Sequence, residues 1–196
     1  MKIKLINKSG LSFIEVIIAI FILATGMVAV LGLMAASLKE SLDARNQRTA
    51  VFLAQEGVEL VRNFRDNTWA SGNLTFEGNI GFPNGNPNNN CVIDYIDTDG
   101  IVSSSGNDGD CGKTFDETRL YFDANDFFTY DNTSANPSKF NRKIEINYVG
   151  PDRNNAEKAI ITSMVVWNRT SFPAIADCNT AHKCSYTEAT LSRWGE

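Results

Sequence analysis

The sequence predicts an α+β protein. A long N-terminal α-helix, transmembrane in its first half and amphipathic in its second, packs on a C-terminal antiparallel β-sheet. Three observations predict it. The run Val16–Leu38 carries no charge. Lys39–Asp66 contains no proline and repeats apolar residues at helical spacing. The last third of the chain alternates apolar and polar residues at strand period.

The first element begins with a short basic lead, residues 1–10, holding Lys2, Lys4 and Lys8 and ending in Gly10. The charge-free run after it has 23 residues. At 1.5 Å per residue it gives roughly 35 Å of helix, enough for a bilayer core of about 30 Å. Flanking lysines favour the cytoplasmic side, which directs the rest of the chain outward. A secretory signal has a shorter apolar core, of about 7–15 residues, and an A-x-A-like cleavage site.

The helix is expected to continue past Leu38. Ala50, Leu53, Gly57, Leu60 and Phe64 recur at steps of three and four, and Ala54 and Val61 widen the stripe. Arg45, Arg48, Glu56, Glu59 and Arg62 fall elsewhere and are read as solvated. Asp66-Asn67-Thr68 supplies an end near Arg65. The domains are then residues 1–10, the lead; 11–38, the transmembrane half; 39–66, the amphipathic half; and 67–196, an extracytoplasmic globular domain.

Residues 71–113 are rich in Gly, Asn, Asp and Ser, which form turns. Short strands are expected at Cys91–Ile96, Thr118–Asp123 and Asp126–Tyr130. Ile144, Ile146 and Tyr148 alternate with Lys143, Glu145 and Asn147, the pattern of a strand. Gly150-Pro151-Asp152 opens a turn. Ala159–Trp167 is β-branched and apolar on both faces, as a central strand is. Ser171–Lys183 reads as a loop, and Tyr186–Trp194 as the last strand.

Composition narrows the function. Hydrophobic residues are 43% and charged ones 21%, which fits a folded chain rather than a disordered one. Without the lead, 15 basic side chains face 23 acidic ones, a balance of −8. Phosphate binding needs clustered Lys and Arg, so nucleic acid is not an expected partner. The four cysteines, Cys91, Cys111, Cys178 and Cys184, all lie C-terminal to the apolar run. An even count on an exported domain reads as two disulfides. Three connectivities are open; the local pairs, Cys91 with Cys111 and Cys178 with Cys184, are favoured because each closes one loop.

No catalytic residue, metal site or cofactor is expected. Asp97-Thr98-Asp99-Gly100 resembles part of a calcium loop, but Tyr95 and Gly106 stand where an EF-hand needs ligands. Asn107-Asp108-Gly109-Asp110 reads likewise as a turn. His182, the single histidine, lies between Cys178 and Cys184 but reads as a surface residue beside a disulfide. No nucleophile motif accompanies it.

Glu15 is the exception that needs explaining. A carboxylate costs roughly 2.5–3.5 kcal/mol at mid-membrane on insertion scales, and less near a helix end. Lys8-Ser9-Gly10-Leu11-Ser12-Phe13-Ile14-Glu15-Val16 resembles the processing site of type IV prepilins and of the pilin-like proteins of type II secretion and DNA uptake. Those families have a short basic leader ending in Gly, then a hydrophobic residue, with a Glu four residues further on. The last strands, with Trp167 and Trp194, are loosely similar to minor pilins of the pilus modification type. Residues 67–140 carry no resemblance.

The resemblance implies a pilin-like fold and a prepilin leader at residues 1–10. It implies cleavage by a prepilin peptidase between Gly10 and Leu11, and N-methylation of Leu11. The mature chain would be a non-enzymatic minor pilin subunit. Its partners would be other pilin subunits, the pilus assembly machinery and the membrane. It would sit in the cytoplasmic membrane with its C-terminal domain outside, then in a surface pilus or periplasm-spanning filament. Glu15 would be the assembly residue, meeting the Leu11 amine of the same or the next subunit. The alternatives are a pseudopilin of a secretion or uptake system, and a signal-anchored surface enzyme or lectin that never assembles. Leu11 replaces the Phe common at the first mature position. Gly32 stands where many major pilins carry a helix-breaking Pro.

Overall fold

A computed structural model describes residues 12–70, 90–95, 111–133, 136–150 and 156–192. The chain forms two compact units, Met1–Arg45 and Asn46–Glu196. The first helix, α1, spans Phe13–Ala70, 58 residues without a break at Gly26 or Gly32. It is long and apolar enough to cross a membrane by length and composition. Its end lies beyond the Asp66-Asn67-Thr68 signal. The Asn67 amide donates to Asn63 Oδ1 at 2.7 Å and supports that last stretch.

In the second unit a five-stranded antiparallel sheet runs in the order β2-β1-β3-β4-β5. The strands are β1 (Arg119–Phe122), β2 (Phe128–Thr129), β3 (Asn136–Val149), β4 (Lys158–Trp167) and β5 (Cys184–Ser192). The architecture is the expected α+β one. β4 is paired on both sides, to β3 from Phe140↔Trp167 to Val149↔Lys158 and to β5 from Val166↔Cys184 to Lys158↔Ser192. β3 starts earlier than the alternation of 143–148 indicates. The same period extends back through Arg142 and Phe140, which lie on the face of Ile144.

The expected strand at Cys91–Ile96 is an isolated bridge. Cys91 and Ile144 exchange both backbone bonds, at 2.9 and 2.8 Å. Beyond it the backbone leaves the ladder because side chains claim its groups. Arg142 takes the Ile93 carbonyl, and the Asp94 carboxylate accepts from Thr129 Oγ1 and the Tyr130 N–H. Ile96, the 97–100 and 107–110 loops, Pro151-Asp152 and Trp194 lie outside the described residues.

The helix half in this unit covers one face of the sheet. Ala50, Leu53 and Ala54 pack with Leu120, Phe140, Val165 and Trp167. Val58, Val61 and Phe64 pack with Ile93, Ile144, Ile146, Ile161 and Leu191. Val58 widens the apolar stripe, whereas Leu60 is only half-buried. Gly57 is where the helix comes closest to the sheet. A Cβ there would strike Ser163 Oγ and lie 3.2 Å from Arg142 Cδ. The opposite face of the sheet is covered too: Met164, Val166 and Cys184 meet Phe115, Phe172 and Cys178. β4 is therefore apolar on both faces because both are roofed.

Candidate functional site

The Ser12 carbonyl starts α1 by accepting from the N–H groups of Glu15 (2.9 Å) and Val16 (3.3 Å). That places Glu15 in the first helical turn, where the positive end of the helix dipole favours a carboxylate. Among the described residues of the first unit, none covers the helix beyond this turn. Every residue from Ser12 to Leu42 is exposed, including Phe13, Phe21, Leu23, Val28 and Leu33. Such a surface is stable in lipid or against other helices, not in water. The hydroxyl in its middle, Thr25 Oγ1, donates back to the Phe21 and Ile22 carbonyls, both at 3.0 Å. The site is thus an apolar rod with one carboxylate near its start. Gly10 and Leu11, the expected cleavage and methylation positions, lie outside the described residues.

Cys91 is bonded to Cys111, and Cys178 to Cys184, with separations of 20 and 6 residues. Cys178 and Cys184 are therefore not thiolates, so with His182 they offer no zinc set. Among the described residues no group of three His, Cys, Asp or Glu side chains is placed to hold a metal.

A cleft of about 540 Å³ opens on the second unit, lined by Val92, Lys113, Glu117, Tyr121, Tyr130 and Asp131 among others. Two of its carboxylates serve their own loops. Glu117 accepts from the Thr114 hydroxyl and N–H at 2.7 and 2.8 Å, and the hydroxyl first of all lowers its pKa. Asp131 accepts from the Thr133 hydroxyl and N–H and is lowered in the same way. These contacts are those of turn-forming side chains.

Arg142 is the residue that sequence reasoning missed. Its side chain is wholly buried. Nε donates to Tyr130 Oη at 2.9 Å, Nη1 to Glu56 Oε1 at 3.0 Å and the Leu53 carbonyl at 3.3 Å, and Nη2 to the Ile93 carbonyl at 3.1 Å. Burial opposes its charge most, but Tyr130 and Glu56 outweigh it and the pKa is raised. The Tyr130 phenol is raised chiefly by burial and donates to the Arg142 carbonyl. Glu56, expected to be solvated, is the charge partner of this group. The signal was available: Arg142 falls on the apolar phase of β3. Arg65, taken for the helix end, is likewise buried and reaches the Ser192 carbonyl at 3.4 Å.

Searches of family models, of curated proteins and of solved structures return no match to this chain.

Proposed function

We propose that the chain is a minor type IV pilin-like structural subunit with a pilin-like fold. It is made as a precursor with residues 1–10 as leader, held in the cytoplasmic membrane by α1, and oriented with its C-terminal domain outside. A prepilin peptidase cuts between Gly10 and Leu11 and methylates Leu11. The subunit then enters a pilus through its N-terminal helix. It performs no catalysis and takes no cofactor.

The observation that carries this reading is the bare apolar helix with Glu15 in its first turn. A plain anchor gains only the helix-dipole attraction from a carboxylate there. A lone charge in an apolar setting is costly, and pairing removes that cost. Cleavage after Gly10 would create an amine one helical turn before Glu15. Pairing Glu15 with the Leu11 amine of the next subunit neutralises both groups and fixes a register between subunits. The mass of the mature N-terminus tests the proposal. Methylated Leu11 is the expected first residue; an intact Met1 in cells with a working processing peptidase defeats it.

A further inference from the structure

The two edges of the sheet are finished differently. At β2, only two residues long, the Asp94 carboxylate accepts the next N–H, that of Tyr130, at 2.8 Å. At the other edge, the nine residues of β5 pair with β4 without a register shift, and none of them is Lys, Arg or Pro. Short strands, bulges, Lys and Pro are the usual devices that blunt an edge. β5 has none of them.

One bond fixes which way its main chain points. The Trp167 N–H donates to the Lys183 carbonyl at 3.1 Å, one step before the Val166↔Cys184 pair. Bonding alternates from pair to pair along an antiparallel ladder. Thr187 and Ala189 therefore bond to β4, whereas Tyr186, Glu188 and Thr190 turn their N–H and C=O groups away from it. Both ends of this outward row are closed. The Cys184 N–H donates to the Asn179 carbonyl at 3.1 Å, and Arg65 Nη1 donates to the Ser192 carbonyl at 3.4 Å. Between those ends, Tyr186, Glu188 and Thr190 are exposed, and their main-chain groups have no partner among the described residues. The spacing of these groups is matched by an extended backbone.

We propose that β5, over residues 186–190, receives an extended segment of a separate protein as an added antiparallel strand, with a Lys or Arg of that segment opposite Glu188. Charge selects the occupant. Thr162 pairs with Glu145 on one side and Glu188 on the other. Glu145 holds Lys143, whereas Glu188 holds no cation among the described residues. Opposite charges facing each other across a strand pair attract, and like charges repel. A second copy pairing edge to edge brings no cation, because β5 has none. The chain's own turn-rich stretches 71–89 and 96–110 hold no Lys or Arg either. The complement is a basic segment from outside the chain. This edge belongs wholly to the second unit and does not depend on cleavage at Gly10.

The test follows amide hydrogen exchange and peptide affinity by NMR on the full chain in detergent. The probe is the end-blocked synthetic peptide Thr-Val-Thr-Lys-Thr-Val-Thr. It should slow exchange at the Tyr186, Glu188 and Thr190 amides and leave the N-terminal helix unchanged. The same peptide methylated on the amide nitrogens of its Lys and both Val residues should bind at least about tenfold more weakly, because the bonding N–H groups are gone. A Glu in place of the Lys should weaken binding about fivefold. Glu188→Lys should reverse that order; its side chain is exposed, so the fold tolerates the change. No slowing at the three amides, equal binding of the methylated peptide, or an order that Glu188→Lys leaves unchanged overturns the proposal. Slowed exchange at these amides before peptide is added also overturns it. If that slowing grows with protein concentration the edge pairs with a second copy, and if it does not the chain covers its own edge.

Discussion

Arg142 Nη1 lies 3.0 Å from Glu56 Oε1, and the guanidinium is fully buried while the carboxylate is 41% exposed. The pair joins β3 to α1, and the same guanidinium holds the Ile93 carbonyl and Tyr130. Arg142→Met should cost about 3–5 kcal/mol, because four polar partners lose their donor inside the fold. Glu56→Gln keeps an acceptor at the rim and should cost about 1 kcal/mol. Chemical denaturation of the full chain in detergent measures both. Equal losses would mean that Arg142 acts through the Glu56 contact alone.

Ser163 Oγ is buried with no hydrogen-bond partner among the described residues, and Gly57 faces it from the helix. Ser163→Ala should therefore stabilise the domain, by about 1 kcal/mol. Gly57→Ala favours the helix by about 1 kcal/mol. The added methyl has no room, however, and overpacking of this kind costs about 1–3 kcal/mol. A net loss is expected, smaller when Ser163→Ala is present. Thermal melts of the two single variants and the double variant check the coupling. Additive effects would place the strain elsewhere.

Tyr95 Oη donates to Asp123 Oδ2 at 2.7 Å. The bond lowers the Asp123 pKa, with burial opposing and the Phe127 and Asn125 N–H groups assisting. It pushes Tyr95 up to about 12, again with the Asp123 bond as the largest cause. A depressed carboxyl stabilises the fold above its unfolded pKa, and that contribution fades as pH falls through the folded value. A raised phenol contributes fully below its unfolded pKa, about 10, and loses this as pH rises toward about 12. Tyr95→Phe should thus lower the thermal midpoint at neutral pH, and the gap to the parent should narrow in acid and in strong base. A gap that stays constant across pH would assign the loss to packing, since Tyr95 also lies against Phe127.

Glu15→Gln and Glu15→Ala should leave membrane insertion intact, because each removes the one charge between Phe13 and Leu38. Incorporation into filaments should fall sharply in both. Sedimented filaments probed for the subunit, beside its level in membranes, measure the two quantities separately. Normal incorporation of either variant would remove Glu15 from assembly.

Much of this architecture was legible in residue order. Ala50, Leu53, Ala54, Val61 and Phe64 mark the helix face that meets the sheet. The alternation around Ile144 and Ile146 marks the face that receives it. Cys91–Ile96 was not legible as a strap, because its β-prone residues are overruled by polar groups brought from elsewhere. Asp94 bonds Thr129 and Tyr130, 35 and 36 residues away in the chain.

The sequence by itself determined the long helix, its charge-free run with Glu15 just before it, and where the five strands of the sheet lie, though it also predicted a strand at Cys91–Ile96 that is only a bridge. These are local quantities, set by charge spacing and by periods of 3.6 and 2. Only the tertiary structure decided that Arg142 is buried, that Glu56 is its partner across 86 residues, and that Gly57 presses on Ser163. Periodicity tells which face a residue takes. It carries no information on which distant group satisfies a buried charge, and that choice depends on how the helix lies on the sheet.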